Sequence, residues 1–142
     1  MKHTFRSKVV SLSLIGILAF CMLTGCGAKT DSFTVELVVD ITGAYSVYYT
    51  SYIDGVLANS GANADLDNNE LEEGRVLEYT FVPALFDEGA DLSKFSIDFS
   101  PFDNESQYEL GRTNAVEFSA EYGKTYRIHL KQDENGYYAV PD

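Results

Sequence analysis

Alternation of apolar and polar residues at every second position recurs through this chain and restricts most of it to β-strands. Phe33, Val35, Leu37 and Val39 fall on one side, with Thr34, Glu36 and Asp40 on the other. The pattern returns in Leu77, Tyr79 and Phe81 against Glu78 and Thr80, and in Phe95, Ile97 and Phe99 against Ser96 and Asp98. Tyr126, Ile128 and Leu130 repeat it against Arg127, His129 and Lys131. A helix would scatter such a set around its axis, whereas a strand puts alternate side chains on opposite faces, one in a core and one in water. Val116 to Phe118 and Tyr138 to Val140 read as shorter strands. Turn chemistry separates them at Thr42-Gly43, Tyr122-Gly123 and Glu134-Asn135-Gly136, the last a hairpin signal. Seven or eight turn-linked strands in about 110 residues predict an all-β, antiparallel β-sandwich over residues 33–142, with a small closed barrel as the alternative.

One span breaks the pattern. From Asp54 to Gly74 the chain is rich in Asn, Asp, Ala and Gly, and it shows no alternation. It reads as a long functional loop, with a short helix over 66–73 that would turn Leu66 and Leu71 inward.

The N-terminus has a different character. Lys2, Arg6 and Lys8 precede an apolar run of sixteen residues from Val9 to Thr24. A bilayer-spanning helix takes roughly 20 residues, so this run suits the core of a secretory signal peptide better than a permanent anchor. It closes on Leu23-Thr24-Gly25-Cys26, which resembles the lipobox of bacterial lipoproteins. The resemblance implies that residues 1–25 are removed and that Cys26 carries a thioether-linked diacylglycerol and becomes the first residue. Gly27, rather than Asp, follows the cysteine, so nothing resembles the inner-membrane retention signal of Gram-negative lipoproteins. The expected address is extracytoplasmic: a Gram-positive cell surface or a Gram-negative outer membrane. Val39-Asp40-Ile41-Thr42-Gly43, followed by a Tyr-rich strand, also resembles the opening of small uncharacterised lipoprotein β-domains, although this chain has no Trp for the Trp-Gly pair of their next loop.

Processing at Cys26 would change the chemistry of what is left. Cys21 departs with the leader and Cys26 is acylated, which leaves no thiol for a disulfide, a metal or a nucleophile. All 22 acidic residues remain but only seven of the ten basic ones, a formal charge of −15 against −12 for the whole chain. Such a domain is repelled by nucleic acid and by anionic headgroups. Residues 26–32 form a short tether, and the six from Gly27 to Ser32 reach at most about 20 Å.

Several side chains are candidates for function. On the expected second strand, Tyr48 and Tyr52 lie opposite Tyr45, Val47 and Tyr49, as two rings roughly 13 Å apart on an outer face. Planar rings beside acidic oxygens suit a glycan or a partner protein. Asp65, Asp67, Asn69 and Glu70 place oxygens at alternate positions as a calcium loop would, with Glu72 or Glu73 in reserve. The Gly and Glu that an EF-hand requires at its sixth and twelfth positions are replaced by Glu70 and Val76. Arg127, His129 and Lys131 form a basic stripe, read either as an anion site or as partners for acids such as Glu117 on neighbouring strands. Asp98, with Asp103 or Glu105, is the acid nearest a dense aromatic segment and the only seed for a carboxylate pair.

Phosphate-cradling glycine loops are missing, and His129, the one histidine beyond the leader, lies between two cations. The expectation is therefore a non-catalytic, lipid-anchored surface domain with no required cofactor. Its membrane contact is the diacylglycerol on Cys26, and it binds an extracellular ligand or partner through Tyr48, Tyr52 and the 54–74 span. The alternatives are an accessory subunit of an envelope assembly that docks by its strand edges, and a small carboxylate-dependent hydrolase.

Overall fold

The computed structural model describes residues 31–104 and 108–142. Eight strands form two four-stranded sheets. They are β1 (Phe33–Val39), β2 (Ser46–Ile53), β3 (Val56–Ala64), β4 (Arg75–Phe81), β5 (Phe95–Phe102), β6 (Val116–Phe118), β7 (Thr125–Asp133) and β8 (Gly136–Pro141). One sheet runs β4-β1-β7-β8 and the other β3-β2-β5-β6. The two layers stay open and form a β-sandwich, in which β3 lies against β4 and β6 against β8. Among the described residues no helix is long and apolar enough to cross a membrane.

The alternating sets meet as expected. Phe33, Val35, Leu37 and Val39 of β1 join Leu77, Tyr79 and Phe81 of β4 and Ile128 and Leu130 of β7. These face Val47 of β2 and Phe95, Ile97 and Phe99 of β5, all buried. Aromatic rings fill one end of this core: Phe33 stacks on Phe81 with centroids 4.9 Å apart and meets Phe95 edge-on at 5.1 Å. Tyr79 is buried whole, and its hydroxyl donates to the Val47 carbonyl at 3.0 Å, which satisfies a polar group that the core would otherwise penalise.

Three expectations need correction. The span from Asp54 to Gly74 is not one loop. Its first part is β3, paired antiparallel to β2 from Ile53↔Val56 to Ser46↔Ala64. Asp54 and Gly55, both at positive φ (52° and 76°), make the two-residue turn between them. A two-residue hairpin turn favours that geometry because it matches strand twist, and Asp-Gly is a preferred pair for it. No helix forms over 66–73; Leu71 is buried as expected, but Leu66 is fully exposed. The sandwich is also not wholly antiparallel, since β1 and β7 pair in parallel along Thr34↔Thr125 to Val39↔Leu130. Parallel neighbours need a long connection, and the whole opposite sheet lies in the sequence between these two.

The outer edges of the β4-β1-β7-β8 sheet are met by amide side chains. Asn63 of β3 donates to the Glu78 carbonyl on β4 at 3.0 Å. Asn114 accepts from the Ala139 N–H at 3.0 Å and donates to the Ala139 carbonyl at 3.1 Å, imitating a strand residue beside β8. An edge whose polar groups are occupied is a poorer template for another strand.

Candidate functional site

The outward face of the β3-β2-β5-β6 sheet carries the best-defined cluster of polar chemistry. Strand β5 is flanked by β2 on one side and by β6 on the other. Its outward residues Ser96, Asp98 and Ser100 are polar yet buried. Across the strand boundary they stand in register with Tyr52, Thr50 and Tyr48 of β2. Ahead of β6 the chain already tracks β5: Thr113 N–H donates to the Phe99 carbonyl at 2.9 Å, and Leu110 N–H to the Pro101 carbonyl at 2.8 Å. That segment brings Glu109 and Arg112 over the same face.

A connected network results. The Tyr52 hydroxyl donates to Asp98 Oδ2 at 2.8 Å. Ser100 Oγ donates to Glu109 Oε1 at 2.8 Å and accepts from Arg112 Nε at 3.2 Å. The guanidinium lies between two carboxylates, 3.4 Å from Glu109 Oε1 and 4.0 Å from Asp98 Oδ1. Asp98 is 6 % exposed, and its Oδ1 has no hydrogen bond among the described residues. A buried carboxylate oxygen left without a donor is costly, and Arg112 at 4.0 Å offsets it by charge alone. Partial burial, and then the Asp98 carboxylate, push the Tyr52 phenol above the usual tyrosine range. Tyr48 stays 38 % exposed, its ring resting on Phe102 with centroids 4.5 Å apart. A polar depression of about 590 Å³ adjoins the cluster, lined by Ser96, Glu117, Lys94 and Asp54 among others. The face therefore offers a ring, a guanidinium and hydroxyls above a buried carboxylate.

Tyr48 and Tyr52 thus point outward as read from the alternation, but Tyr52 is half-buried and tied to Asp98. Within 65–70, the side chains of Asp65, Asn69 and Glu70 make local contacts. Asp65 Oδ2 accepts from the backbone of Asp67 and Asn69 at 3.2 and 3.4 Å and from the Asn69 side chain at 3.2 Å, while Arg75 lies 3.6 Å from Oδ1. Glu70 turns to the β1–β2 connection, where its Oε1 accepts from Gly43 N–H at 2.6 Å. Among the described residues no three His, Cys, Asp or Glu side chains converge as metal ligands.

Arg127 and His129 of the basic stripe find acids, though not Glu117. Because β7 pairs with β1, Arg127 meets Glu36 at 2.7 Å and His129 Nδ1 meets Asp40 at 2.7 Å, with Asp142 3.5 Å from the other ring nitrogen. Glu117 belongs to the other sheet. Asp103 lies in the turn leaving β5, its N–H donating to the Tyr108 carbonyl. Glu105 and Cys26 lie outside the described residues.

Sequence reasoning missed Ser100, Glu109 and Arg112. Arg112 lies in a segment without alternation, and only its path along β5 gives it a place. No family model and no curated protein matches the chain. Among solved structures, it is similar to a protein from Eubacterium rectale at 13 % identity, covering 80 % of this chain and 90 % of that one, with a TM-score of 0.38. It is also similar to the T6SS lipoprotein TssJ1 from Pseudomonas aeruginosa (8 % identity, 80 % and 97 % coverage, TM-score 0.38). A third is the membrane-binding domain of pneumolysin (10 %, 78 % and 96 %, 0.37). Likeness at this level carries no function across, and the fold rests on the strand pairing described above.

Proposed function

We infer that this chain is a lipid-anchored, extracytoplasmic, non-catalytic binding domain, and that it holds an extracellular ligand or partner protein on the outward face of the β3-β2-β5-β6 sheet. The observation that carries this reading is the exposed Arg112 guanidinium beside the exposed Tyr48 ring, held over the buried Asp98 carboxylate. Asp98 Oδ1 is itself covered, so a ligand meets the Tyr48 ring and the Arg112 guanidinium, and the buried carboxylate holds that guanidinium in place by charge. Arg112 standing between Asp98 and Glu109 favours recognition over hydrolysis, because a cation between two carboxylates fills the place a reacting bond would need. The anchor follows from the Cys26 resemblance, and the charge of −15 that processing would leave repels nucleic acid.

The test uses the acylated chain, recovered with bound material from its own membranes and screened in parallel on a glycan array. Tyr48→Ala and Arg112→Ala should each reduce capture at least about tenfold if each removes a central contact. Capture unchanged in both variants overturns the assignment of this face and leaves the strand edges of an envelope-assembly subunit as the contact.

A further inference from the structure

Exposed apolar side chains gather at one end of the sandwich. The β2–β3 hairpin closes there with Val56 and Leu57, 69 % and 66 % exposed. The β4–β5 connection brings Leu85 and Phe86 beside them, and the two segments enclose an open groove of about 360 Å³. Tyr122, from the β6–β7 connection, lines the adjoining hollow with Pro83 and Phe86, and Val82 is also exposed. Single exposed apolar residues are ordinary, whereas a contiguous group on three neighbouring connections marks a contact surface.

Two further observations identify the occupant. The domain begins at this same end: the Phe33 ring lies 6.1 Å from Tyr122 and 6.2 Å from Phe86, and Gly123 N–H donates to the Ser32 carbonyl at 2.7 Å. Cys26 stands six residues ahead of Ser32, a reach of at most about 20 Å. Nor is this end basic. Lys94 pairs with Asp54 at 3.3 Å and Lys124 with Glu121 at 2.8 Å, while Asp87 and Glu88 border the groove. Anionic headgroups would not attract it, so what suits it is the uncharged boundary between headgroups and acyl chains, where aliphatic and tyrosine side chains partition favourably.

We propose that this end of the domain is a membrane-contact surface, with Val56, Leu57, Val82 and Tyr122 seated in the interfacial layer of the bilayer that holds Cys26. The proposal rests on the reading of Cys26 as the lipidated residue. It makes the sandwich a docked body with a fixed tilt, its acidic 65–73 loop turned to the medium and the Asp98 face standing on its flank.

The test is depth-dependent fluorescence on the full acylated chain in phosphatidylcholine vesicles. Beyond Cys26 the chain has no thiol, so Leu57→Cys and, at the opposite end, Leu66→Cys each accept one environment-sensitive fluorophore. Position 57 should show blue-shifted emission and quenching by spin-labelled lipid, and position 66 neither. Acylation is read independently from intact mass and from flotation with the vesicles. A chain that floats while position 57 stays water-like overturns the contact surface and leaves the anchor standing. An unacylated chain that does not float overturns the anchor and the surface together. Emission at position 57 that shifts with protein concentration but resists lipid quenching assigns the patch to a second copy of the chain and overturns the proposal.

Discussion

Asp98 sets the character of its surroundings through one unsatisfied atom. Tyr52 is the donor that holds its other oxygen, so Tyr52→Phe would leave a buried carboxylate without a direct hydrogen bond from the described residues. The expected cost is about 1–3 kcal/mol in urea-denaturation stability, the usual penalty for stranding a buried polar partner. Removing the charge as well should recover part of it, so the Tyr52→Phe/Asp98→Asn pair should cost less than the two single changes added together. Strict additivity would mean that Tyr52 and Asp98 act independently and that the 2.8 Å contact does not couple them. Neither the hydrogen bond nor the role of Arg112 was legible in the sequence. Tyr52 and Asp98 are 46 residues apart, and alternation says which face a residue takes but not which strand lies beside it.

At the scale of elements, the strands that were legible are those with one face in the core. β1, β4, β5 and β7 present Phe, Val, Leu, Ile and Tyr at every second position, and the structure buries those sets. β3 was not legible because its inward side carries Asn59, Gly61 and Asn63 in place of apolar residues. That side reaches across the rim of the sandwich: Asn59 accepts from the Tyr49 hydroxyl at 3.1 Å, and Asn63 ties to β4. Gly61 is required there because a Cβ would come within 2.8 Å of the Tyr49 ring. The Asp54-Gly55 pair was the signal available, a hairpin turn directly after a Tyr-rich strand, and the absence of alternation beyond it masked its meaning. Gly61→Ala should therefore destabilise the domain by about 1–3 kcal/mol through overpacking, measured by thermal or urea unfolding. Adding Tyr49→Phe should not rescue it, because the nearest atom is a ring carbon and not the hydroxyl. Wild-type stability in Gly61→Ala would show that the ring moves aside freely.

The whole molecule carries a pH dependence whose sign follows from a few surface groups. At Asp65 desolvation pushes the carboxyl up, but hydrogen bonds from Asn69 and Asp67 and the Arg75 charge outweigh it, so it titrates below the ordinary 3.8. The Ser93 hydroxyl and N–H hold Asp91 below the same value. A carboxyl depressed in the folded state binds protons less readily than in the unfolded chain. Its contribution is present above pH 3.8 and is lost as the pH falls through the lower folded values. Lys124 runs the other way: Glu121 raises it above 10.5, so its contribution is present below that pH and lost as the pH rises through the folded value. Asp91 and Lys124 are exposed and Asp65 is partly so, and each effect is small. The urea midpoint should fall on acidification below 3.8, and Asp65→Asn combined with Asp91→Asn should flatten that limb while leaving the alkaline one unchanged. An acid limb of undiminished slope in the double variant would assign acid unfolding to other carboxylates.

The parallel pairing of β1 with β7 also governs when the domain can exist. β1 is the first strand made, yet the Arg127 that its Glu36 binds comes 91 residues later, and its other neighbour, β4, is itself far downstream. Closing such distant contacts is entropically expensive and slow. A nascent or partly threaded chain therefore holds its founding strand without a sheet to join, and the fold can assemble only after nearly the whole polypeptide has emerged. The export proposed for this chain would gain from this ordering, because the topology delays the structure that would block passage.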